Sequence, residues 1–172
     1  MTRAWIARLD HRDRTLLGRW ALDASASRRS RVAWRTVTHL GGATSTIAAG
    51  VAPLTLDSRA HEAAGLALVV LILSHLLVQL VKRGVGRPRP CRDHCGSLVT
   101  VPDRFSFPSG HAAAAMSIAF GYSVVFPELA VPLVAAAAVV GMSRVVLGVH
   151  YPGDVLAGQL IALATGLAVV RG

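Results

Sequence analysis

The stretch AAGLALVVLILSHLLVQLV, residues 63–81, decides the fold of this chain. Its 19 residues carry no charge, and that is about the length an α-helix needs to cross the hydrocarbon core of a bilayer. Apolar side chains occupy every face of the predicted helix, not a single stripe, as in a helix that contacts lipid or protein on all sides. The stretch therefore predicts a membrane-spanning helix.

The sequence on both sides of this stretch predicts further membrane spans. Hydrophobic residues make up 53% of the 172 residues, and the mean hydropathy of +0.52 is too high for an ordinary soluble domain. We expect an all-α integral membrane bundle of about five transmembrane helices in one domain, residues 1–172, with the bundle over residues 36–172. An all-α soluble protein is the alternative, but its helices would need polar outer faces. The other four spans are predicted at residues 36–56, 112–126, 129–147 and 151–170.

The N-terminal part differs in composition from the rest of the chain. Residues 1–35 hold nine arginines and three aspartates, interleaved with tryptophan and leucine. This pattern favours an amphipathic segment that lies in the membrane interface, with a solvated and partly disordered tail as the alternative. The formal net charge of the chain is +9. Since no basic stripe with interleaved aromatic residues is present, we expect this charge to meet anionic lipids and no nucleic acid.

Most of the cationic side chains are predicted to share one face of the membrane. Five crossings after the N-terminal segment place the loops over residues 82–111 and 144–154 on the same side as that segment. Only Arg59 and Arg171 then lie on the opposite side. An electropositive face of this kind would suit a phosphate-binding site.

The first polar cluster on this face is KRGVGRPRP, residues 82–90, which ends the span that contains residues 63–81. A basic flank that ends a helix is the plain structural interpretation, with glycine and proline stopping the helix. Lys82, however, is the single lysine in a chain with 17 arginines. Because an ammonium group differs chemically from a guanidinium fork, the lone lysine suggests a selected role.

The second cluster is FPSGH, residues 107–111, directly before an alanine-rich span. Ser109 would cap the next helix, and Gly110 would let a ligand approach the backbone N–H groups at the positive helix end. His111 would then stand beside a bound anion. An ordinary capped helix start with an interfacial histidine is the structural alternative.

The third cluster joins Ser143 and Arg144 to HYPGD, residues 150–154. His150 and Asp154 lie four residues apart, so a helix that begins near Pro152 would let the carboxylate reach an imidazole N–H. Such a carboxylate fixes the tautomer of a nucleophilic histidine and leaves the other ring nitrogen free. A structural His–Asp pair that caps the last helix is the alternative.

Together the three clusters resemble the signature of the type 2 phosphatidic acid phosphatase family, which also includes lipid diphosphate phosphatases. That signature reads Lys-x6-Arg-Pro, Pro-Ser-Gly-His and Ser-Arg-x5-His-x3-Asp. The chain matches its three parts in order and on one predicted membrane face. The matching residues are Lys82 with Arg89-Pro90, then Pro108-Ser109-Gly110-His111, and finally Ser143-Arg144 with His150 and Asp154.

The resemblance implies a metal-independent phosphatase with a histidine nucleophile and no cofactor. It assigns the nucleophile to His150, the orienting carboxylate to Asp154 and the general acid to His111. Many members of the family have six spans, and here the arginine-rich segment stands in place of the first. The resemblance assigns phosphate binding to Lys82, Arg89, Ser109, Gly110 and Arg144.

These roles lead us to expect hydrolysis of a lipid phosphate or diphosphate through a phosphohistidine. Polyprenyl diphosphate is favoured because the short chain leaves no large outer domain to recognise a headgroup. Phosphatidylglycerol phosphate, phosphatidic acid and polyprenyl-phosphate sugar phosphates are alternatives. A lipid phosphotransferase would use the same residues. A non-enzymatic anion- or lipid-binding membrane protein would leave His150 with Asp154 unexplained.

The remaining histidines and cysteines allow several interpretations. A disulfide between Cys91 and Cys95 is the first, two reduced thiols the second and a metal site with His94 the third, since no fourth ligand is evident. His39 and His75 lie inside predicted spans, where interhelical hydrogen bonds are expected, with metal binding or proton relay as the alternatives.

The location of the active face rests on opposing signals. An excess of cations favours the cytoplasmic side, although arginines of an interfacial segment need not report how spans insert. A disulfide favours the outer side, as does resemblance to lipid phosphatases that recycle carriers after export. We expect a multi-pass protein of the plasma membrane with an extracytoplasmic active site.

Overall fold

A computed structural model describes residues 2–23, 25–90 and 103–172, with the backbone alone described for residues 2–9. The described residues form α-helices with short 3-10 turns at Ala52–Thr55 and Pro127–Leu129. The all-α fold class is therefore confirmed. The helices are α1 Thr2–Trp20, α2 Arg28–His39, α3 Ala43–Val51, α4 Ser58–Val85, α5 Gly110–Val125, α6 Ala130–Val146 and α7 Pro152–Arg171.

Helices long and apolar enough to cross a membrane occur three times in the described part of the chain, at Ser58–Val85, Pro127–Val146 and Pro152–Arg171. Helix α5 is also apolar and has 16 residues. Large apolar side chains stay exposed on α4, for example Ile72 and Leu80 at 57% and 63%, as expected of a surface that contacts lipid. The expected bundle is therefore present. In the described residues it contains three helices of spanning length and the shorter apolar helix α5.

The predicted span over residues 36–56 differs most from the structure. Helix α2 ends at His39 and α3 begins at Ala43, so no single helix covers this stretch. Gly41 lies in the break, where a Cβ atom would stand 2.9 Å from the backbone oxygen of His111. Only a glycine permits such an approach of two backbones. Uncharged composition predicted a continuous helix, and this close contact with α5 interrupts it.

The N-terminal segment packs against the bundle. Helix α1 contacts α6 and α7, and Leu17 packs on a small apolar cluster formed by Ala112, Val145 and Val155. The backbone N–H of Leu22 also donates to the backbone oxygen of Val146 at 2.8 Å. Helix α1 is thus fixed where α6 ends and α7 begins. Its location in a membrane interface stays a prediction.

Helix α5 lies at the centre of the bundle and packs against α4, α6 and α7. Its buried residues are mostly alanines, which let neighbouring backbones approach closely where lipid gives no hydrophobic drive for association. Ser74 of α4 and Ser117 of α5 form a buried hydrogen bond of 2.8 Å. Because neighbouring helices run in opposite directions, α4 and α6 end where α5 and α7 begin, and the polar clusters lie at these ends.

Candidate active site

A cavity of about 420 Å³ lies among these helix ends. Four of its lining residues, Lys82, Arg89, Arg144 and His150, are at most 7% exposed. The fold therefore brings residues from all three sequence clusters into one chamber, whereas their chemical roles stay predictions. The cluster residues that line the cavity are Lys82, Arg89, Gly110, His111, Arg144 and His150.

The ring of His150 is held in one tautomer. Its Nε2 atom lies 2.9 Å from Nη1 of Arg89, and a guanidinium group can only donate hydrogen bonds. Nε2 must therefore accept, so it carries a lone pair and the ring proton sits on Nδ1. On that side, Oδ2 of Asp154 lies 3.5 Å away, longer than a strong hydrogen bond. This arrangement leaves Nε2 facing the cavity as a potential nucleophile.

The electrostatic surroundings keep His150 neutral. Burial, together with the charges of Arg89 and Arg144, lowers the pKa of His150 to about 4 against the opposing effect of Asp154. A lowered pKa means that the neutral form, which alone can attack phosphorus, predominates above about pH 4. His150 is thus neutral over the whole physiological range, as its predicted role of nucleophile requires.

The pH dependence of kcat/KM provides a test of this environment. We expect the acid limb that belongs to His150 to fall near pH 4, well below the ordinary histidine range, because kcat/KM reports groups of the free enzyme. Two substrates whose phosphates differ in pKa separate the titration of His150 from the titration of the substrate. A limb from His150 stays in place between them, whereas a limb from the substrate moves. A fixed limb near pH 6.5 would contradict the burial argument.

The carboxylate of Asp154 is fully buried and held on both oxygens. Oδ2 accepts from the backbone N–H of Tyr151 at 2.9 Å, which caps the start of α7. Oδ1 accepts from Nη1 of Arg87 at 2.7 Å. These contacts fix the carboxylate plane beside Nδ1 of His150. The carboxylate thus lies beside the imidazole, but Nδ1 of His150 has no hydrogen-bond partner within the described residues, and the orienting role of Asp154 stays a prediction.

Arg87 belongs to an ion network that the sequence did not reveal. Its guanidinium also binds Asp10 and Asp13 of α1, each at 2.8 Å, and lies 4.0 Å from the centre of the Tyr151 ring. Burial would lower the pKa of Arg87, but the three carboxylates outweigh it and raise the pKa. The sequence did contain one sign of this network, the two aspartates three residues apart on α1. The network ties α1 to Asp154.

Asp103 is a second residue that sequence reasoning missed. Its carboxylate accepts from Nζ of Lys82 at 2.9 Å and from Nη2 of Arg89 at 3.0 Å. Burial would raise the pKa of Asp103, but these two cations outweigh it and hold the pKa below its usual value. The ionised carboxylate occupies donors that a phosphate would need. A bound phosphate must therefore share these donors with Asp103 or displace it.

Three buried donors at the site have free capacity within the described residues, and one of them is Nδ1 of His150. Nη1 of Arg144 donates to Oγ1 of Thr38, in the last turn of α2, at 2.7 Å. Within the described residues, neither Nε of Arg144 nor Oγ of Ser109 has a hydrogen-bond partner. A buried donor without a partner is costly. An anion bound in the cavity, which Arg144 lines and Ser109 does not, would satisfy Nε of Arg144.

Other predictions have mixed outcomes. Nε2 of His75 lies 3.1 Å from the amide nitrogen of Gln79, so this histidine bonds within α4 and the expected interhelical bond is wrong. Among the described residues, no group of three or more histidine, cysteine or acidic residues is placed to hold a metal. The possible disulfide between Cys91 and Cys95 lies outside the described residues.

Comparison with known families and proteins gives a consistent result. The model of the PAP2 superfamily matches residues 63–172, which include all three clusters. The lipid A 1-phosphatase of Rhizobium johnstonii is 40% identical over 93 residues, 51% of this chain and 38% of that protein. The undecaprenyl-diphosphatase BcrC of Bacillus subtilis is 31% identical over 117 residues, 67% of this chain and 59% of that protein.

A third relative and two solved structures extend this result. The decaprenylphosphoryl-5-phosphoribose phosphatase of Mycolicibacterium smegmatis is 43% identical over 90 residues, 50% of this chain and 47% of that protein. The matched region therefore spans 38% to 59% of the length of these three relatives. A PAP2 type phosphatidylglycerolphosphate phosphatase from Bacillus subtilis superposes with a TM-score of 0.75 at 24% identity, covering 95% of this chain and 85% of that one. Aquifex aeolicus LpxE gives 0.72 at 24% identity, covering 86% and 89%. These two likenesses support the fold.

Proposed function

This chain belongs to the PAP2 superfamily, and from that premise we propose that it is a membrane phosphatase that hydrolyses a lipid diphosphate, polyprenyl diphosphate in particular, through a phosphohistidine. The observation that carries the proposal is the state of His150. Its Nε2 lone pair points to Arg89 in a cavity where Lys82 and Arg144 also meet. A nucleophile and three cations in one buried chamber suit attack on a phosphoryl group.

In the first step, Nε2 of His150 attacks phosphorus and the bond from phosphorus to the leaving oxygen breaks. Lys82, Arg89 and Arg144 hold the non-bridging oxygens and stabilise their charge in the transition state. Arg89 shifts its Nη1 hydrogen bond from His150 to a phosphate oxygen. Asp154 accepts from Nδ1–H and stabilises the positive charge that develops on the ring. The leaving oxygen takes a proton from His111. Burial and the charge of Arg144 lower the pKa of His111 to about 3 in the free protein, so the negative charge of the bound lipid phosphate must raise this pKa before His111 can act as the acid.

In the second step, water hydrolyses the phosphohistidine. His111, neutral after the first step, takes a proton from the water as the oxygen attacks phosphorus. The bond between Nε2 of His150 and phosphorus breaks, and inorganic phosphate forms. His111 is then charged again and His150 neutral, so the starting state is restored.

The walls of the cavity support a lipid substrate. Beyond the cations, its lining continues with apolar side chains of α3 and α4. Three of them, Ile47, Ile72 and Leu76, are 52%, 57% and 57% exposed. Such residues would contact acyl or prenyl chains if α3 and α4 face the bilayer. A lipid could thus place its phosphate among the cations while its chain remains in the membrane.

Phosphate release from purified protein in detergent tests the proposal. The panel contains polyprenyl diphosphate, phosphatidylglycerol phosphate, phosphatidic acid and a polyprenyl-phosphate sugar phosphate, each with and without EDTA. We expect the fastest release from polyprenyl diphosphate and no loss with EDTA, because the proposed mechanism uses only side chains. Vanadate should inhibit as a phosphate mimic. Absence of release from the whole panel would overturn the proposal.

The acid role of His111 makes a separate prediction. His111→Ala should lose about 10²- to 10⁴-fold in kcat with an alkyl phosphate, whose leaving oxygen needs a proton. The loss should be much smaller with an aryl phosphate such as p-nitrophenyl phosphate, whose leaving group is stable without one. The two rates are measured on the same preparation, so its active fraction cancels. Equal losses for both substrates would count against the acid role.

The proposal assigns the active face to the outer side of the plasma membrane. Labelling of Cys91 and Cys95 tests this assignment, because both lie between the first two clusters. After mild reduction, a membrane-impermeant thiol reagent should label them in intact cells. Labelling only after the membrane is permeabilised would place the active face in the cytoplasm instead.

A further inference from the structure

One face of α4 carries further polar side chains on the N-terminal side of Lys82. His75, Gln79 and Lys82 are spaced by four and three residues, so they lie on the same side of the helix, and all three line the cavity. With about 1.5 Å of rise per residue, Gln79 lies about 4.5 Å and His75 about 10 Å along α4 from Lys82. The cavity thus has polar side chains beyond its cations, beside its apolar wall.

A polar pair inside a membrane-spanning helix is costly without a compensating role. The contact of 3.1 Å between His75 and Gln79 satisfies one ring nitrogen and one amide hydrogen. Within the described part of the chain, no other hydrogen bond involves the His75 ring, and its side chain is exposed. The other ring nitrogen and the rest of the Gln79 amide can therefore bond to a ligand. A structural hydrogen bond between helices does not account for these two remaining groups.

We propose that His75 and Gln79 form a second subsite, which binds the polar group that joins the scissile phosphate to the lipid chain. The chemical class that fits is the inner phosphate of a lipid diphosphate. Linked phosphates are close neighbours, so an outer phosphate at Lys82 places the inner one near Gln79. Amide and imidazole N–H groups donate to its oxygens. This subsite deepens the proposed function and rests on it.

The test compares KM for a lipid diphosphate in detergent micelles with inhibition by vanadate. Vanadate mimics only the outer phosphate, so it does not reach the second subsite. In His75→Leu and Gln79→Leu, we expect kcat/KM for the diphosphate to fall about tenfold, mainly through KM, as for loss of a hydrogen bond to a charged group. The inhibition constant of vanadate should change less than twofold.

Gln159→Leu is the matched control. Gln159 is also a glutamine in a membrane-spanning helix, α7, and its amide donates to the backbone oxygen of Ala137 at 3.2 Å, away from this cavity. Its replacement should leave KM for the diphosphate and the vanadate constant unchanged. This control separates the general effect of an apolar substitution inside a span from the effect of losing the subsite.

Each outcome has a distinct meaning. An unchanged KM in His75→Leu and Gln79→Leu overturns the subsite and leaves the phosphatase intact. Parallel loss of substrate and vanadate affinity also overturns it, because the pair would then support the whole site structurally. If wild-type protein releases no phosphate from any lipid, the proposed function itself fails and the subsite with it.

Discussion

Replacement of His150 by alanine is expected to reduce phosphate release to background, a loss of at least about 10⁴-fold in kcat. The variant loses the proposed nucleophile. It also removes one of the hydrogen-bond partners of Arg89, at 2.9 Å. Wild-type protein quenched during turnover with a ³²P-labelled substrate should carry acid-labile, base-stable label, whereas His150→Ala should carry none.

A histidine at the other end of α4 provides the matched control. Nδ1 of His61 pairs with the backbone oxygen of Leu54 at 2.8 Å, far from the cavity. His61→Ala should therefore keep wild-type turnover. Thermal unfolding in detergent and vanadate binding show whether the His150 variant still folds. Near-normal turnover in a folded His150→Ala protein would refute the phosphohistidine mechanism.

The sequence could predict the three clusters because each lies at the end of an apolar span. The spans fix which helix ends share a face, so residues such as Lys82 and Arg144 were expected together before their contacts were known. The pairing of His150 with Asp154 follows from their spacing of four residues. Local pattern was sufficient in these cases.

Other parts of the site depend on contacts between distant segments. Thr38 bonds to Arg144 just before the break at Gly41, and an uncharged stretch gives no sign of either feature. Asp103 lies in a loop, where no periodicity shows which way an acid points. The contacts of Arg87 with α1 join residues more than 70 positions apart. Tertiary packing, not local pattern, determines all three.

Conversion of Asp154 to asparagine is expected to lower kcat about 10³- to 10⁴-fold while the protein remains folded. The carboxylate offers two acceptors to three donors. Oδ1 receives Arg87, and Oδ2 receives the Tyr151 N–H and faces Nδ1 of His150. An amide keeps one acceptor and turns an NH₂ group toward the remaining donors. In either orientation a donor faces a donor, and the imidazolium that forms on attack loses its counter-charge.

Asp13→Asn separates this effect from general loss of the ion network. Asp13 binds the same guanidinium at 2.8 Å and accepts from the Gly153 N–H at 2.9 Å, so its replacement also removes an acceptor from Arg87. It does not touch His150, and kcat should fall by less than about threefold. The measurement is single-turnover formation of labelled phosphohistidine in both variants. If the two variants lose equal activity, Asp154 acts only by holding α1 and α7 together, and its role in orienting His150 is wrong.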